Sequence, residues 1–486
     1  MRRRIAVAAA AVMMLAAPAA AFSPTDPLVP KQWYLAANHT YDAWAQPPTL
    51  APVRIAIIDS GIDATHPELA KHIVAARSFV GGKATVDSQG HGTFVAGLIG
   101  ATVNDGMGIA GLFPSAQLVV AKVVTAQKTI PVAAEAKAIR WAVDQGARVI
   151  NMSLGGVRDP LQLSRDTYSP AEAAAVDYAV AHHVVLVAAV GNGDQSPREP
   201  WHFASYPAAL PHVIGVSAFD QDGTVPDFSN RDAVFNDIAA PGAGILSTLP
   251  MKLTAQFLGC PEQGYSSCGP EDFRAAEGTS FAAPQVTAAA AMLISVDPNL
   301  TPDQVASILE RTATDANAGN GCRRCPLGRD AYTGWGRLNV AAALAALAGP
   351  LPPPDRFEPN DDAGSAAWPL SGHSGSLRAT LDFWDDQSDV YRIRLQRGQK
   401  LFAVLSPRGT DTILALWKPE AVHVDDLRAQ SMRLRASRKV GRVERLSYRA
   451  RRTGFYYLQV KIQAAGGGDG SYALQFSKTP AAATVP

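Results

Sequence analysis

Two patterns of hydrophobic and polar positions divide the chain. Up to about residue 348, short apolar runs such as VRIAIID (53–59) and VVLVAAVGN (184–192) alternate with alanine-rich stretches such as VAAEAKAIRWAVDQG (132–146). Unbroken apolar runs are typical of strands buried on both faces, and the intervening stretches have a helical composition. This part of the chain is therefore expected to form a mostly parallel β-sheet with helices on both faces, an α/β fold.

Beyond the proline-rich segment AGPLPPPDR (348–356), the apolar positions change to a period of two. DVYRIRLQRGQKLFAVL (389–405), GFYYLQVKI (454–462) and SYALQFS (471–477) alternate apolar with polar residues. Such alternation is typical of strands that turn one face to a core. A small, antiparallel, all-β sandwich is therefore predicted at the C-terminus.

The first residues have the pattern of an export signal. Arg2, Arg3 and Arg4 precede an apolar run that ends at Ala17, and small residues follow it up to Ala21. This run is too short to span a membrane, so we expect a cleaved signal peptide and a secreted protein, extracellular or periplasmic. The predicted organisation is a signal peptide at 1–21, an α/β domain at 22–348, a linker at 349–354, a β-sandwich at 355–478 and a tail at 479–486.

Composition narrows the classes of partner. The 486 residues are 47% hydrophobic and carry a net charge of +1, which does not favour a nucleic-acid or membrane partner. No segment after the signal has the apolar length of a transmembrane helix, and we expect a monomer. Four cysteines in an exported chain favour disulfides, with Cys260 paired to Cys268 and Cys322 to Cys325 as the preferred connectivity. The other two connectivities and a zinc site are the alternatives.

The segment EGTSFAAPQV (277–286) surrounds a serine with small residues. Pro284 has no N–H, so a helix here must have Pro284 in or near its first turn and must start close to Ser280. At that position the hydroxyl would meet free backbone N–H groups and the positive end of the helix dipole, which stabilise developing negative charge. Because a serine can also simply cap a buried helix, a nucleophilic role requires a general base elsewhere in the chain.

Two further motifs supply a base and a carboxylate. IAIIDSGID ends a predicted strand on Asp59, and GHGTFVAGLIG places His91 between two glycines. Residues at the carboxyl ends of strands meet at one edge of an open α/β sheet. Asp59, His91 and Ser280 therefore have the chemistry of a catalytic triad, in one of the chain orders known for triads.

These three motifs resemble those of the subtilisin-like serine proteases, or subtilases, over about residues 26–348. The resemblance implies a serine endopeptidase in which Ser280 attacks the peptide bond, His91 transfers the proton and Asp59 orients His91. It also implies that Asn192 stabilises the oxyanion together with the backbone N–H of Ser280. The expected substrates are proteins and peptides, cleaved with a broad or apolar preference.

The resemblance also implies a strand that binds substrate. INMSLGG (150–156) is similar to the segment with which this family pairs an extended peptide. Ser153, Leu154 and Gly155 would line the cleft, and the glycine would leave room for a substrate side chain. An ordinary strand end followed by a Gly-Gly turn is the alternative.

Structural calcium is usual in this family, and the resemblance indicates where it would bind. Asp26 and Asp105 stand at positions where relatives have ligands, and Glu68 stands where an aspartate is usual. Calcium accepts flexible carboxylate geometry, so Glu68 is retained as a ligand. Ordinary turn acids are the alternative for all three residues.

The C-terminal region resembles the bacterial pre-peptidase C-terminal domain. The resemblance is carried by the opening DRFEPNDD, by DDQSDVYRIRL and by TGFYYLQV, and it implies an accessory domain. Within it, residues 428–452 are strongly basic, with Glu444 as the single acid among the arginines from Arg433 to Arg452. A solvated strand face is the favoured interpretation of this stretch, and contact with an anionic cell-surface polymer is the alternative.

Overall fold

The computed structural model describes most of the chain. The predicted signal peptide up to residue 20, the Cys260–Cys268 pair and part of the predicted linker lie outside the described residues. The described residues are 21–256, 273–350, 355–358, 360–381, 388–409, 411–424, 431–438, 442–462 and 470–480.

A seven-stranded parallel sheet forms the centre of the first part of the chain. Its strands are β1 (Val53–Asp59), β2 (Ile73–Ser78), β3 (Ala116–Lys122), β4 (Val149–Met152), β5 (Val185–Ala189), β6 (Val213–Phe219) and β7 (Ile238–Pro241). Two further strands follow them in the chain, β8 (Ile245–Thr248) and β9 (Phe273–Ala276). The strand order is β2–β3–β1–β4–β5–β6–β7, and all of its pairs are parallel. A separate antiparallel pair is formed by β8 and β9. The predicted parallel α/β sheet is confirmed.

Helices cover both faces of this sheet. They are α1 (Trp33–Ala37), α2 (His91–Gly100), α3 (Val132–Asp144), α4 (Pro170–Ala181), α5 (Met251–Gln256), α6 (Thr279–Val296), α7 (Pro302–Arg311) and α8 (Val340–Ala346). Alternate residues of β1 point to opposite cores: Ile55 and Ile57 pack with α2 and α6, whereas Ala56 and Ile58 pack with α3 and α4. Burial on both faces explains why the strands are apolar at nearly every position.

Helix α6 runs through the centre of the first core. Contrary to the expectation that no segment after the signal has the apolar length of a transmembrane helix, α6 is long and apolar enough to cross a membrane by length and composition, but 83% of that stretch is buried inside the protein. Its helical neighbours are α2, α7 and α8, and it also lies against β1, β4, β5, β6 and β7. The apolar character of α6 is therefore that of a core helix.

Two antiparallel sheets form the C-terminal part. Their strands are β10 (Trp368–Leu370), β11 (Ser374–Leu381), β12 (Ser388–Leu395), β13 (Lys400–Arg408), β14 (Thr412–Trp417), β15 (Arg433–Ser437), β16 (Glu444–Arg449), β17 (Gly454–Ile462) and β18 (Gly470–Lys478). One sheet has the order β10–β12–β17–β14–β15, with one parallel pair at its β10 edge, and the other has the order β11–β18–β13–β16. Side chains of both sheets, including Tyr391, Leu405, Leu458 and Leu474, share one buried core. This arrangement confirms the predicted all-β sandwich.

One of the two predicted disulfides lies within the described residues. Cys322 and Cys325 are bonded, with 5.3 Å between their Cα atoms, and both are buried beside Val225 and Ala316. The bond therefore ties a short loop that packs against the α/β part of the molecule.

Candidate active site

Asp59 lies at the carboxyl end of the central strand β1. Its side chain is buried, and the backbone N–H of Ser60 donates to Asp59 Oδ1 over 2.7 Å. Because β1 lies in the middle of a parallel sheet, this end of the strand opens toward the loops that follow the neighbouring strands. The carboxylate is thus held at the sheet edge with one oxygen already oriented by the backbone.

His91 is the first residue of α2 and points its ring at Asp59. Its Nδ1 lies 2.8 Å from Asp59 Oδ1 and 3.0 Å from Oδ2. Burial acts to lower the pKa of His91, but the charge and hydrogen bond of Asp59, with a smaller contribution from Asp87, leave that pKa raised above 6.5. With Nδ1–H donated to the carboxylate, Nε2 is the acceptor nitrogen of the neutral ring.

A buried carboxylate that sequence reasoning missed holds the start of α2. Asp87 Oδ1 accepts hydrogen bonds from Ser60 Oγ and from the backbone N–H groups of Gln89 and Gly90. Its Oδ2 accepts from the backbone N–H and the hydroxyl of Thr93. A carboxylate is favoured at a helix N-terminus, where N–H groups lack partners. In the sequence, the only indication of this role was the position of Asp87, an acid three residues before Gly90 at the start of α2.

Gly92 lets α2 approach the strand that carries Asp59. A Cβ atom at this position would lie 2.1 Å from the carbonyl oxygen of Gly61 and 3.2 Å from Asp59 Oδ1. A larger residue would push the two backbones apart. The glycine after His91 therefore sets the separation between the histidine and the carboxylate.

Ser280 is the second residue of α6, as the position of Pro284 predicted. Its Oγ donates to the backbone carbonyl of Ser153 over 3.1 Å, and Ser153 Oγ donates to the backbone carbonyl of Ser280 over 2.7 Å. Asn151 Nδ2 in turn donates to Ser153 Oγ, and Asn151 Oδ1 accepts from Thr287 of the same helix. The end of β4 and the start of α6 are thus joined by a buried polar network.

Asn192 follows β5 and is oriented by the residue before Ser280. Its Oδ1 accepts hydrogen bonds from the backbone N–H and from the hydroxyl of Thr279, and both donor–acceptor distances are 3.0 Å. With the oxygen occupied, Nδ2 is the end of the amide that remains available, and it lies 3.4 Å from where a Cβ of Gly278 would stand. This geometry leaves a side-chain N–H donor beside Ser280.

The segment that was predicted to bind substrate lies directly beside this site. Ser153 has a buried side chain, Leu154 packs against the second core, and a Cβ on Gly155 would lie 2.3 Å from the carbonyl oxygen of Tyr206. Gly156 and Tyr206 exchange two backbone hydrogen bonds of 2.9 Å. The contact of Ser153 with the nucleophile segment, rather than with the cleft alone, was not foreseen.

A single cavity of about 770 Å³ opens at these residues. Among its lining residues are His91, Asn192 and Ser280, together with Phe281 on one wall. The ring of Phe281 lies 5.4 Å from that of His91, centroid to centroid. The predicted nucleophile, base and oxyanion donor therefore face one cavity, large enough for several residues of an extended peptide.

The three residues that were predicted to bind calcium belong to neighbouring segments, but their carboxylate oxygens do not all lie within 4.8 Å of one another. Asp26 Oδ1 accepts from the backbone N–H groups of Asp105 and Gly106, and Oδ2 accepts from that of Asn104. Glu68 is fully buried, and its carboxylate is only weakly paired, through the backbone N–H groups of Ile109 and Thr102, which lower its pKa slightly. Burial, then the charges of Asp105 and Asp26, raise the pKa of Glu68 to about 8. A poorly paired buried carboxylate suits a hard cation with oxygen ligands, but the three carboxylates would have to move closer together to bind one ion.

A second acidic group lies in the C-terminal sheets. Ligand oxygens of Asp355, Glu358 and Asp389 lie within 4.8 Å of one another. Burial, then the charges of Asp361 and Asp389, raise the pKa of Glu358 to about 8, and burial raises the pKa of Asp389 to about 7. Sequence reasoning did not single out this group, because its members come from a loop and from a separate strand.

Comparison with known proteins agrees with this geometry. The model of the subtilase family, peptidase family S8, matches residues 51–336. Subtilisin DY of Bacillus licheniformis is 35% identical over 294 residues, which are 60% of this chain and 91% of that protein. Fervidolysin of Fervidobacterium pennivorans is 36% identical over 317 residues, 61% of this chain and 41% of that protein.

The fold of this chain is also similar to that of a solved protease structure. A protease from Pseudoalteromonas arctica superposes with a TM-score of 0.53 and 26% identity, covering 66% of this chain and 99% of that one. The fold and site thus define a serine endopeptidase. The chain belongs to the subtilase family.

Proposed function

We propose that this protein is a secreted endopeptidase that cleaves peptide bonds through an acyl-enzyme on Ser280. The observation that carries the proposal is the meeting of the Asp59–His91 pair, Asn192 and Ser280 at one cavity, from four segments that are far apart in sequence. A serine hydroxyl is a weak nucleophile at neutral pH, so it needs an adjacent base and a way to stabilise the oxyanion.

The residues divide the chemistry as follows. His91 accepts the proton of Ser280 as the hydroxyl attacks the carbonyl carbon, and later gives it to the leaving amine. Asp59 keeps Nδ1 protonated and stabilises the imidazolium that forms in between. Water then attacks the ester carbonyl of the acyl-enzyme, with His91 again as base, which releases the second product and restores Ser280.

The oxyanion is stabilised by two donors in this proposal. Asn192 Nδ2 is available because Thr279 occupies the amide oxygen, and the backbone N–H of Ser280 lies at the start of α6. Donors held in place before the reaction stabilise charge only as it develops, which lowers the barrier rather than the ground state.

Substrate binding follows from the strand end beside Ser280. An extended peptide pairs with the backbone of residues 153–155. The expectation that Gly155 leaves room for a substrate side chain is wrong, because the carbonyl of Tyr206 occupies the place of a Cβ there. Ala188 and Ala189 of β5 are buried and small, which agrees with a broad or apolar preference for the residue before the cleaved bond.

Calcium is proposed as a structural cofactor held by Asp26, Glu68 and Asp105. It would neutralise three carboxylates and tie the segment near residue 26 to the loop that follows α2. The support is the buried and weakly paired Glu68, although the three carboxylates are more widely spaced than those of the C-terminal acidic group. Asp105→Ala is expected to remove most of the calcium response.

The C-terminal sandwich is proposed as an accessory domain of the pre-peptidase type. Its boundaries at 355–478, the signal peptide at 1–21 and export from the cell remain predictions. In the described part of the basic stretch, several arginines lie on β15 and β16, including Arg433, Arg435, Arg445 and Arg449. Contact with an anionic surface polymer is a secondary proposal for this face.

A fluorophosphonate probe tests the central proposal. It should label the wild-type protein on Ser280, and Ser280→Ala should abolish both labelling and hydrolysis. Ser295→Ala, in the same helix, is the matched control and should be labelled as the wild type is. Absence of labelling in folded wild-type protein would refute the acyl-enzyme mechanism.

A further inference from the structure

Apart from His91, the charged side chains that line the cavity beside Ser280 are all acidic. Lysine and arginine are absent from its lining within the described part of the chain. The ionisable side chains that line it are His91, Asp194, Glu199 and Glu277. The three carboxylates are exposed, and none of them takes part in an ion pair between described residues. The neighbouring Arg198 lies instead against the ring of Trp201, 5.9 Å from its centroid.

The cavity lies on one particular side of the nucleophile. Its walls come from residues 192–199 and 275–278, whereas residues 153–155 are not part of its lining. If the residues before the cleaved bond pair with 153–155, as proposed above, an extended substrate leaves Ser280 on the opposite side. The residues that follow the cleaved bond then enter the acid-lined cavity.

The same cavity offers an apolar surface under the charges. Phe228 and the buried Phe281 line it, together with Ala275 and Ala276. Lysine and arginine have long apolar stems that pack on such surfaces while the charged head reaches solvent-exposed acids. A glutamate of the substrate would be repelled by these carboxylates. A short apolar residue would form no ion pair with them.

We propose that this cavity selects substrates with lysine or arginine at the first or second position after the cleaved bond. The inference rests on the proposed function, because it concerns the leaving half of the same substrate. It names Asp194, Glu199 and Glu277 as specificity determinants for the reaction and leaves the apolar preference before the bond unchanged.

The size of the effect follows from the exposure of the carboxylates. Each exposed charge pair is expected to change kcat/KM by about 1.5- to 5-fold, and repulsion of an acidic residue adds a similar factor. Lysine should therefore be preferred over glutamate by about tenfold or more at low salt. Because screening shortens the reach of the charges to about 3 Å at 1 M salt, the ratio should fall there.

Internally quenched peptides with one fixed acyl half test the proposal. They differ in a single position after the cleaved bond, which carries lysine, glutamine or glutamate, and mass spectrometry verifies where each is cut. Values of kcat/KM are normalised to those of a p-nitroanilide with the same acyl half, which has no residue after the bond. The expected order is lysine, then glutamine, then glutamate.

Charge-neutral variants assign the effect to the named residues. The double variant Glu199→Gln/Glu277→Gln should reduce the lysine-to-glutamate ratio toward one, and restoring Glu277 alone should recover part of it. Asp177→Asn, which removes an exposed acid on α4 outside the cavity, is the matched control and should keep the wild-type ratio.

The outcomes separate this inference from the function on which it rests. Hydrolysis of the p-nitroanilide with equal rates for the lysine and glutamate peptides would overturn the inference and leave the peptidase intact. A ratio that the double variant does not change would also overturn it. If a folded wild-type protein hydrolyses no substrate and binds no fluorophosphonate, the proposed function fails and the inference fails with it.

Discussion

Replacing Glu68 by glutamine should change the stability of this protein in opposite directions with and without calcium. The side chain is fully buried, its oxygens are only weakly paired, and its pKa is raised to about 8 by burial and by the charges of Asp105 and Asp26. In the unfolded chain the same group has an ordinary pKa near 4.5. The stabilisation that accompanies protonation is therefore fully present below pH 4.5 and is lost as pH rises toward 8.

The magnitude without calcium follows from that difference. One pKa unit corresponds to about 1.4 kcal/mol, so at pH 7 the raised pKa lowers the free energy of unfolding by up to about 3 kcal/mol. Glutamine has no ionised form and escapes this penalty. In chelator at pH 7, Glu68→Gln should therefore melt several degrees above its parent, and at pH 4.5 the two should melt within a degree or two.

Calcium should reverse the order. An ion at one hundred times its dissociation constant stabilises the folded state by about 2.7 kcal/mol, and it also keeps Glu68 ionised at no penalty. Glutamine provides one neutral oxygen in place of a carboxylate, so the variant should gain less from the ion. In calcium at pH 7, the parent should melt above Glu68→Gln.

Melting curves in a Ser280→Ala background check this crossing, because self-digestion cannot then contribute. Each protein is measured with calcium and with chelator at pH 4.5 and 7. Asp177→Asn, an exposed acid on α4, is the control and should show the calcium response of the parent. Parallel melting temperatures with no crossing, or a parent that ignores calcium, would refute the assignment and leave Asp26, Glu68 and Asp105 as turn acids.

Three further predictions concern other parts of the molecule. Asn192→Ala should lower kcat by about 10²–10³-fold with little change in KM, because one oxyanion donor is lost. Steady-state kinetics measure both constants, and an equal loss in turnover and in substrate binding would indicate misfolding instead. Glu135 is buried, and burial, then the adjacent Glu172, raises its pKa well above normal. At saturating calcium the melting temperature should therefore fall as the pH rises from 5 to 8, and Glu135→Gln should make this fall smaller. If the variant shows the same fall as the parent, the Glu135–Glu172 pair is not its cause. A chain that ends at Ala348 should still hydrolyse a short peptide, and loss of hydrolysis in a folded truncation would show that the sandwich completes the site.

The sequence alone determined the fold class and the chemical types at the site. Unbroken apolar runs such as residues 55–58 of β1 are typical of strands buried between two layers, so the parallel sheet could be predicted from pattern. The start of α6 beside Ser280 was likewise predictable, because Pro284 restricts where a helix can begin. These are local properties, set by burial period and backbone chemistry. The domain boundaries, which depend on a linker partly outside the described residues, remain predictions.

The tertiary structure decided which polar groups meet. Ser153 and Ser280 exchange hydrogen bonds across 127 residues of chain, and Asp87 holds both the turn after β1 and the start of α2. Neither contact leaves a mark in the local pattern, because a buried serine or aspartate near a glycine suits many turns equally well.

The three acids of the cavity beside Ser280 show most clearly why the sequence alone does not predict such contacts. Asp194 and Glu199 belong to the loop after β5, and Glu277 belongs to the segment before α6, so each resembles an ordinary exposed loop acid in sequence. The hydrophobic pattern determines which faces are buried, and it is nearly indifferent to where exposed charges fall. Only the packing of α6 against β5 brings these loops to one cavity. Local propensity encodes the elements, whereas the electrostatic field at the site is a sum over residues that folding alone brings within a few ångströms of one another.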